Sequence, residues 1–130
     1  MSANNATNRT RKAAAETFLK MVVARRIKEA YETYMAKDMR HHNAYFPGDA
    51  ASLQKGMEDA HTQFPNTTID IKHSLEDGDF VAVHSLVRMQ PNTPGIAVVH
   101  LFRFQGDRVV EMWDVGQEIP EKSPNENGVF

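Results

Sequence analysis

Two titratable side chains stand inside apolar runs near the end of the chain. His100 interrupts Val98-Val99-His100-Leu101-Phe102, and Asp114 lies between Trp113 and Val115. If they share one face of a hairpin, an apolar row surrounds them. Desolvation there raises the pKa of a carboxyl and lowers that of an unpaired imidazole. A carboxyl tuned upward suits removing a proton from carbon and delivering it to oxygen near neutral pH. The plainer alternative is a buried His–Asp hydrogen bond that only orients the hairpin. An Asp inside a strand is disfavoured by propensity, which speaks for a function at Asp114.

Whether the two share a face depends on the turn. A three-residue loop, Gln105 to Asp107, sets Phe104 opposite Arg108, His100 opposite Met112 and Asp114 opposite Val98. His100 and Asp114 then lie diagonally on one face with Ile96, Val98, Phe102, Val110 and Met112. A two-residue turn shifts the register and sets His100 opposite Trp113.

The elements that must hold these residues can be read from period and punctuation. The first ten residues, 1–10, read as a polar disordered leader. A stretch free of Gly and Pro runs from Arg11 to about Lys37 with a helical stripe. The stripe changes phase between Phe18, Met21, Val22 and the later Ile27, Tyr31, Tyr34, Met35, predicting two helices or a bend near Ala24 to Arg26. Asp38 to His42 fits a short strand or a linker. Asp49 is a plausible N-cap for a helix from Ala51 to Phe64, which Pro65 stops. Beyond it the period changes to two. Strands are expected over 67–75, 80–90, 96–104 and 108–117, and a polar tail over 119–130. Helices followed by a strand meander predict one α+β domain over 11–118.

Composition narrows the function classes. With 130 residues, a formal charge of −2 and no cysteine, the chain fits one domain without disulfide, thiolate or Cys–zinc chemistry. Six histidines invite a metal, but there is no His-x-His and no His-Glu-x-x-His, so none is expected. No apolar run is long enough for a membrane, and no basic stripe interleaved with aromatics suggests nucleic acid. With no signal-like leader, the expected compartment is the cytoplasm.

The run Val98 to Phe104, followed by Gly106-Asp107-Arg108-Val109-Val110-Glu111-Met112-Trp113-Asp114-Val115, resembles the last hairpin of SnoaL-like polyketide cyclases and their ketosteroid-isomerase-like relatives. Met39-Arg40-His41-His42-Asn43 is similar to that family's Tyr-x-Gln-His-Asn loop entry, and Ala82-Val83-His84-Ser85 to its third-strand motif. The tail Asn125 to Phe130 looks like the ending of one uncharacterised branch. The resemblance implies a cystatin-like α+β roll: a strongly curved antiparallel sheet of four or more strands, wrapped on N-terminal helices and enclosing an apolar pocket. It favours the three-residue loop. It implies a cofactor-free enzyme of the lyase or isomerase class, acting on a small hydrophobic carbonyl compound by aldol cyclisation or isomerisation. Asp114 matches the family's general acid/base, and His100 matches a pocket His on the neighbouring strand, either its partner or an oxyanion donor. His42 and Asn43 match the pocket rim. Phe102 and Met112 share the His100 row, His84 fits either a pocket or a core position, and in the stripe of Tyr31 and Tyr34 a hydroxyl at the pocket end, that of Tyr34 first, is a candidate donor. Met112 replaces a family His, which leaves open a non-catalytic dimeric pocket protein that binds a hydrophobic ligand. Trp113 falls on the opposite face, where Val99 and Leu101 suggest a homodimer surface.

Overall fold

The computed structural model describes residues 10–130. The remainder of the expected leader lies outside them, but Thr10 itself is ordered: its Oγ1 accepts from the Ala13 N–H and caps helix α1, Arg11–Val23. Helix α2 covers Ile27–Tyr34, and strand β1 covers Met35–His41. The expected break between helices is therefore present, while the second helix stops before Lys37. Helix α3, Ala50–Gln63, begins under an Asp49 cap that accepts from the Ser52 N–H at 2.9 Å. Strands β2 (Thr68–Asp77), β3 (Phe80–Arg88), β4 (Ile96–Gln105) and β5 (Arg108–Glu118) complete an α+β fold with one five-stranded sheet, ordered β1-β5-β4-β3-β2. Only β1 runs parallel to its neighbour. No helix among the described residues is long and apolar enough to cross a membrane.

The junction of α1 and α2 explains the phase change. The Arg26 N–H donates to the Met21 carbonyl and the Arg25 N–H to the Val22 carbonyl, the two bonds of a Schellman cap. Its left-handed position is Arg25, at φ 65°, where glycine is usual. Relief of that strain should outweigh the extra freedom of the unfolded chain, so Arg25→Gly is expected to stabilise the fold by about 0.5–1 kcal/mol in urea denaturation. A loss of stability would mean that the Arg25 side chain does more than tolerate its place.

Three irregularities bend the sheet. The register slips between Met35 and Arg40 on β1, between Ile71 and His73 on β2, and beside Val110 on β5. The inner face carries Val81, Val83, Phe102, Phe104, Val109 and Met112, all buried against Phe18, Met21 and Tyr31 of the helices. Phe18 meets both Tyr31 and Phe102 edge-on, with ring centroids 5.4 and 6.0 Å apart.

The last hairpin departs from the expected three-residue loop. Gln105 pairs with Arg108 across a two-residue turn, Gly106-Asp107, with Gly106 at φ 61°. A bulge then places Val110 out of register, and Val109 rather than Val110 points inward, fully buried. The bulge shifts the register by one residue in the opposite sense to the longer loop, which restores the same face but not the expected partners: Met112 does not face His100, and Val98 faces Gly116 instead of Asp114. His100 therefore stands directly opposite Asp114, and Phe102 opposite Met112.

Candidate functional site

The inner face of β3, β4 and β5 is apolar except for a small group of polar side chains. Val83, His100 and Asp114 form one row across the three strands; Val81, Phe102, Met112 and His41 form the next. Residues directly opposite in such a ladder have Cβ atoms about 4.5–5.5 Å apart, so His100 and Asp114 are close neighbours. Asn43, in the loop that leaves β1, donates from Nδ2 to Asp114 Oδ2 at 3.0 Å. Among the described residues this is the only hydrogen bond to the Asp114 carboxylate. Asn43 is itself held by the Tyr45 N–H, which donates to its Oδ1 at 3.0 Å. The loop is pinned by Phe46, whose ring packs where a Cβ on Gly56 of α3 would sit. That close approach explains a glycine in the middle of a helix.

His100 keeps part of its surface accessible, yet its Nδ1 is shut off from water and has no partner. Burial pushes the imidazole down to about 4, against the negative charge of Asp114, which raises it. His100 is thus neutral near pH 7. Ser85 Oγ, fully buried on the same face, also lacks a partner. Tyr31 approaches from α2. Burial first, then the charges of Asp114 and Glu58, hold its hydroxyl well above the usual phenol range. It is a permanent donor at neutral pH. Tyr31 also borders a cleft of about 680 Å³ between α2, β1 and α3, where Met35, Ala36, Ala50 and Ala51 meet the polar Glu32, Lys37, Gln54 and Arg108.

Of the expected site residues, Asp114, His100, Asn43, Phe102 and Met112 come together. Three do not. His42 points outward because the parallel pairing of His41 with Met112 turns His41 inward. Its ring stacks on Trp113 at 5.0 Å, and its Nε2 lies 2.7 Å from Glu111 Oε2, a carboxylate also held by Arg103. His84 alternates with the buried Val83 and Ser85 and so faces outward, its Nδ1 3.0 Å from His73 Nδ1. Tyr34 borders a separate cleft with Arg11 and Phe104. Of the two tyrosines in that stripe it is Tyr31, one turn earlier, that feels the charge of Asp114. Ser85 and His41 were not singled out by the sequence. Ser85 could have been, since strand alternation places it with Val81 and Val83. No group of three or more His, Asp or Glu side chains able to hold a metal occurs among the described residues.

The depressed His100 has a consequence for stability. Between pH 6.5 and about 4 the unfolded chain binds a proton that the folded His100 refuses, so stability falls as pH drops through that window. His61, also lowered by burial and then by Arg25, adds to the slope. Urea midpoints from pH 4 to 7 should therefore decline less steeply in His100→Asn than in the parent, with the two curves diverging by on the order of a few kcal/mol at the acid end. Parallel curves would mean that His100 is solvated in the folded protein.

A family model described as a SnoaL-like domain matches residues 15–112. No curated protein matches the chain. Among solved structures, a proposed ketosteroid isomerase from Kribbella flavida superposes with a TM-score of 0.70 at 18% identity, covering 92% of this chain and 87% of that one. A proposed polyketide cyclase from Acidithiobacillus ferrooxidans superposes at 0.66 and 20% identity, covering 83% and 89%. AclR, a proposed hydroxylase from Streptomyces galilaeus, superposes at 0.64 and 27% identity, covering 83% and 79%.

Proposed function

The chain belongs to the SnoaL-like domain family, and from that premise we propose that it is an acid/base enzyme acting on a small hydrophobic carbonyl compound. Names attached to its structural relatives span cyclisation, isomerisation and hydroxylation. One fold hosts all three, so the side chains of this chain must decide. The observation that carries the reading is Asp114: a carboxylate on an apolar face, held through one oxygen by Asn43, directly across the ladder from His100, whose Nδ1 has no partner.

The chemistry follows from that arrangement. Asp114 takes a proton from the carbon next to the carbonyl. The C–H electron pair moves into the new C=C bond, and the carbonyl π pair moves onto oxygen as an enolate. The Tyr31 hydroxyl and the neutral His100 ring are the candidate donors to that oxygen. In an isomerisation, Asp114 returns the proton at another carbon. In an aldol cyclisation, the enolate carbon attacks a second carbonyl of the same molecule, and the new alkoxide takes the proton back. Neither route calls for a cofactor.

The test is proton exchange. Small ketones and 1,3-diketones incubated with the protein in D₂O should lose their α-proton NMR signal faster than in buffer. Exchange at the buffer rate across such a panel would overturn the reading. A second reading, a non-catalytic pocket protein, is favoured by Met112, which stands where the resembled motif has a His. It predicts ligand binding without exchange.

The outer face of the sheet bears on assembly. Phe80, Val99 and Val115 are exposed there, with Leu101 and Trp113 between them. We propose that a second copy covers this face, making a cytoplasmic homodimer. Sedimentation equilibrium should give twice the chain mass, and Val115→Lys should shift it to monomer. A monomeric parent protein would sink the proposal.

A further inference from the structure

His41 makes two hydrogen bonds that together fix its proton. Its Nε2 lies 2.6 Å from the Pro47 carbonyl oxygen, which can only accept, so Nε2 carries the hydrogen. The Asn43 N–H donates to its Nδ1 at 3.1 Å, so Nδ1 carries none. The ring is 5% exposed, and its own backbone N–H donates to the Gly48 carbonyl at 3.1 Å. One neutral tautomer thus ties both ends of the loop 42–49 to the end of β1. Asn43 is held by its backbone N–H to His41, by its carbonyl to the Phe46 N–H and by its Oδ1 to Tyr45, and its Nδ2 reaches Asp114.

We propose that His41 is the positioning residue of the Asp114 site, and that its protonation releases Asn43 from the carboxylate. A proton on Nδ1 would place two donors face to face, the imidazolium N–H and the Asn43 N–H. That contact cannot survive, and the side chain it aims moves with it. The link is short: His41 Nδ1, the Asn43 backbone, Asn43 Nδ2 and Asp114 Oδ2. His41 sits at the start of a loop otherwise tied to β5 through the His42 N–H and the Met112 carbonyl, at 2.9 Å. That bond involves no titrating group, so the loop stays attached while Asn43 is freed.

The charged neighbours do not replace this control. Asp49, at the cap of α3, feels the charge of a protonated His41, but its oxygens are taken by Ser52. Arg40, His42 and Glu111 belong to the outer face of the same ladder. None of them hydrogen-bonds the His41 ring among the described residues. His41 touches no reacting atom in this scheme. It acts through Asn43, and the inference rests on the acid/base reading of Asp114 only for its effect on turnover.

The experiment is an NMR titration of the ligand-free protein, so it does not depend on any activity. The ring protons of His41, the side-chain amide of Asn43 and the carboxyl carbon of Asp114 are followed from pH 8 downward. In the parent, Asn43 and Asp114 should show an inflection at the same pH as the His41 ring, apart from the carboxyl's own titration. His41→Gln keeps a donor for Pro47 and an acceptor for Asn43 but does not titrate. That inflection should vanish in it while the neutral-pH Asn43 signals stay in place. In His41→Ala the Asn43 backbone amide should exchange with solvent at least tenfold faster. The proposal is overturned if Asn43 and Asp114 do not respond when His41 titrates, or if the inflection persists in His41→Gln. The parent titration alone decides should either variant fail to fold. A dead enzyme with an intact inflection would refute the function and leave the positioning role standing.

Discussion

Asp114→Asn should lower turnover by about 10²–10⁴-fold, the usual worth of a positioned general acid/base, while leaving the fold and KM nearly unchanged. The substitution is close to isosteric. The Asn oxygen can still accept from Asn43 Nδ2, now 3.0 Å from Asp114 Oδ2, so the loop stays docked. What disappears is the group that accepts a proton from carbon. His100 cannot take over that task. It is neutral at pH 7 because burial lowers it to about 4, and an imidazole that resists protonation there is a poor base. Tyr31 is held protonated by burial and by the charge of Asp114, so it donates and does not abstract. The loss should therefore fall on kcat. Solvent exchange of the α-proton in D₂O, measured with the same ketones for parent and variant, reads the step directly. Exchange within threefold of the parent would remove Asp114 from the mechanism, and the pocket-protein reading would take its place. A Tyr31→Phe variant with a smaller loss, on the order of tenfold to a thousandfold, would separate oxygen stabilisation from proton abstraction.

The element order and the pair at the centre of the site were legible in the sequence because both rest on local pattern. Helical period, the Asp49 cap, Pro65 and the alternating strands need only near neighbours. Parity is where the reading failed. Val109 and Val110 are both apolar, so hydrophobicity cannot say which one turns inward, and the bulge beside Val110 left no mark. A loop of three and a turn of two plus a bulge give the same face, which is why His100 and Asp114 still met. His41 and His42 pose the same problem over a longer range. Their facing follows from the parallel pairing of β1 with β5, about seventy residues away in the chain, across a register slip of several residues. Tyr31 and Tyr34 differ by one helical turn, and which one reaches Asp114 depends on the angle at which α2 leaves the Schellman cap. Ser85 is overshadowed in the sequence by its neighbour His84, which carries the more conspicuous chemistry, although alternation alone places Ser85 inside.

Phe102→Ala should cost about 3–5 kcal/mol, a large part of the stability of a domain this size. Phe102 is fully buried, pairs with Val81 on one side and Met112 on the other, and meets the Phe18 ring edge-on at 6.0 Å. It thus ties α1 to the middle of the sheet, and no neighbour can collapse into its place without moving a strand or a helix. Phe102→Leu keeps most of the volume and should cost less than about half as much. The loss should also be felt at the site, because His100 lies along the Phe102 ring with centroids 6.2 Å apart. A cavity beneath His100 lets water toward Nδ1 and weakens the desolvation that holds the imidazole down. In Phe102→Ala the decline of stability between pH 6.5 and about 4 should accordingly flatten toward that of His100→Asn. Urea denaturation across that range measures both effects. A cost below about 1 kcal/mol would mean that Phe102 is not the packed floor of the site. A full cost with an unchanged pH slope would mean that His100 is dehydrated by the strands beside it, Val83 and Asp114, and not by the ring beneath.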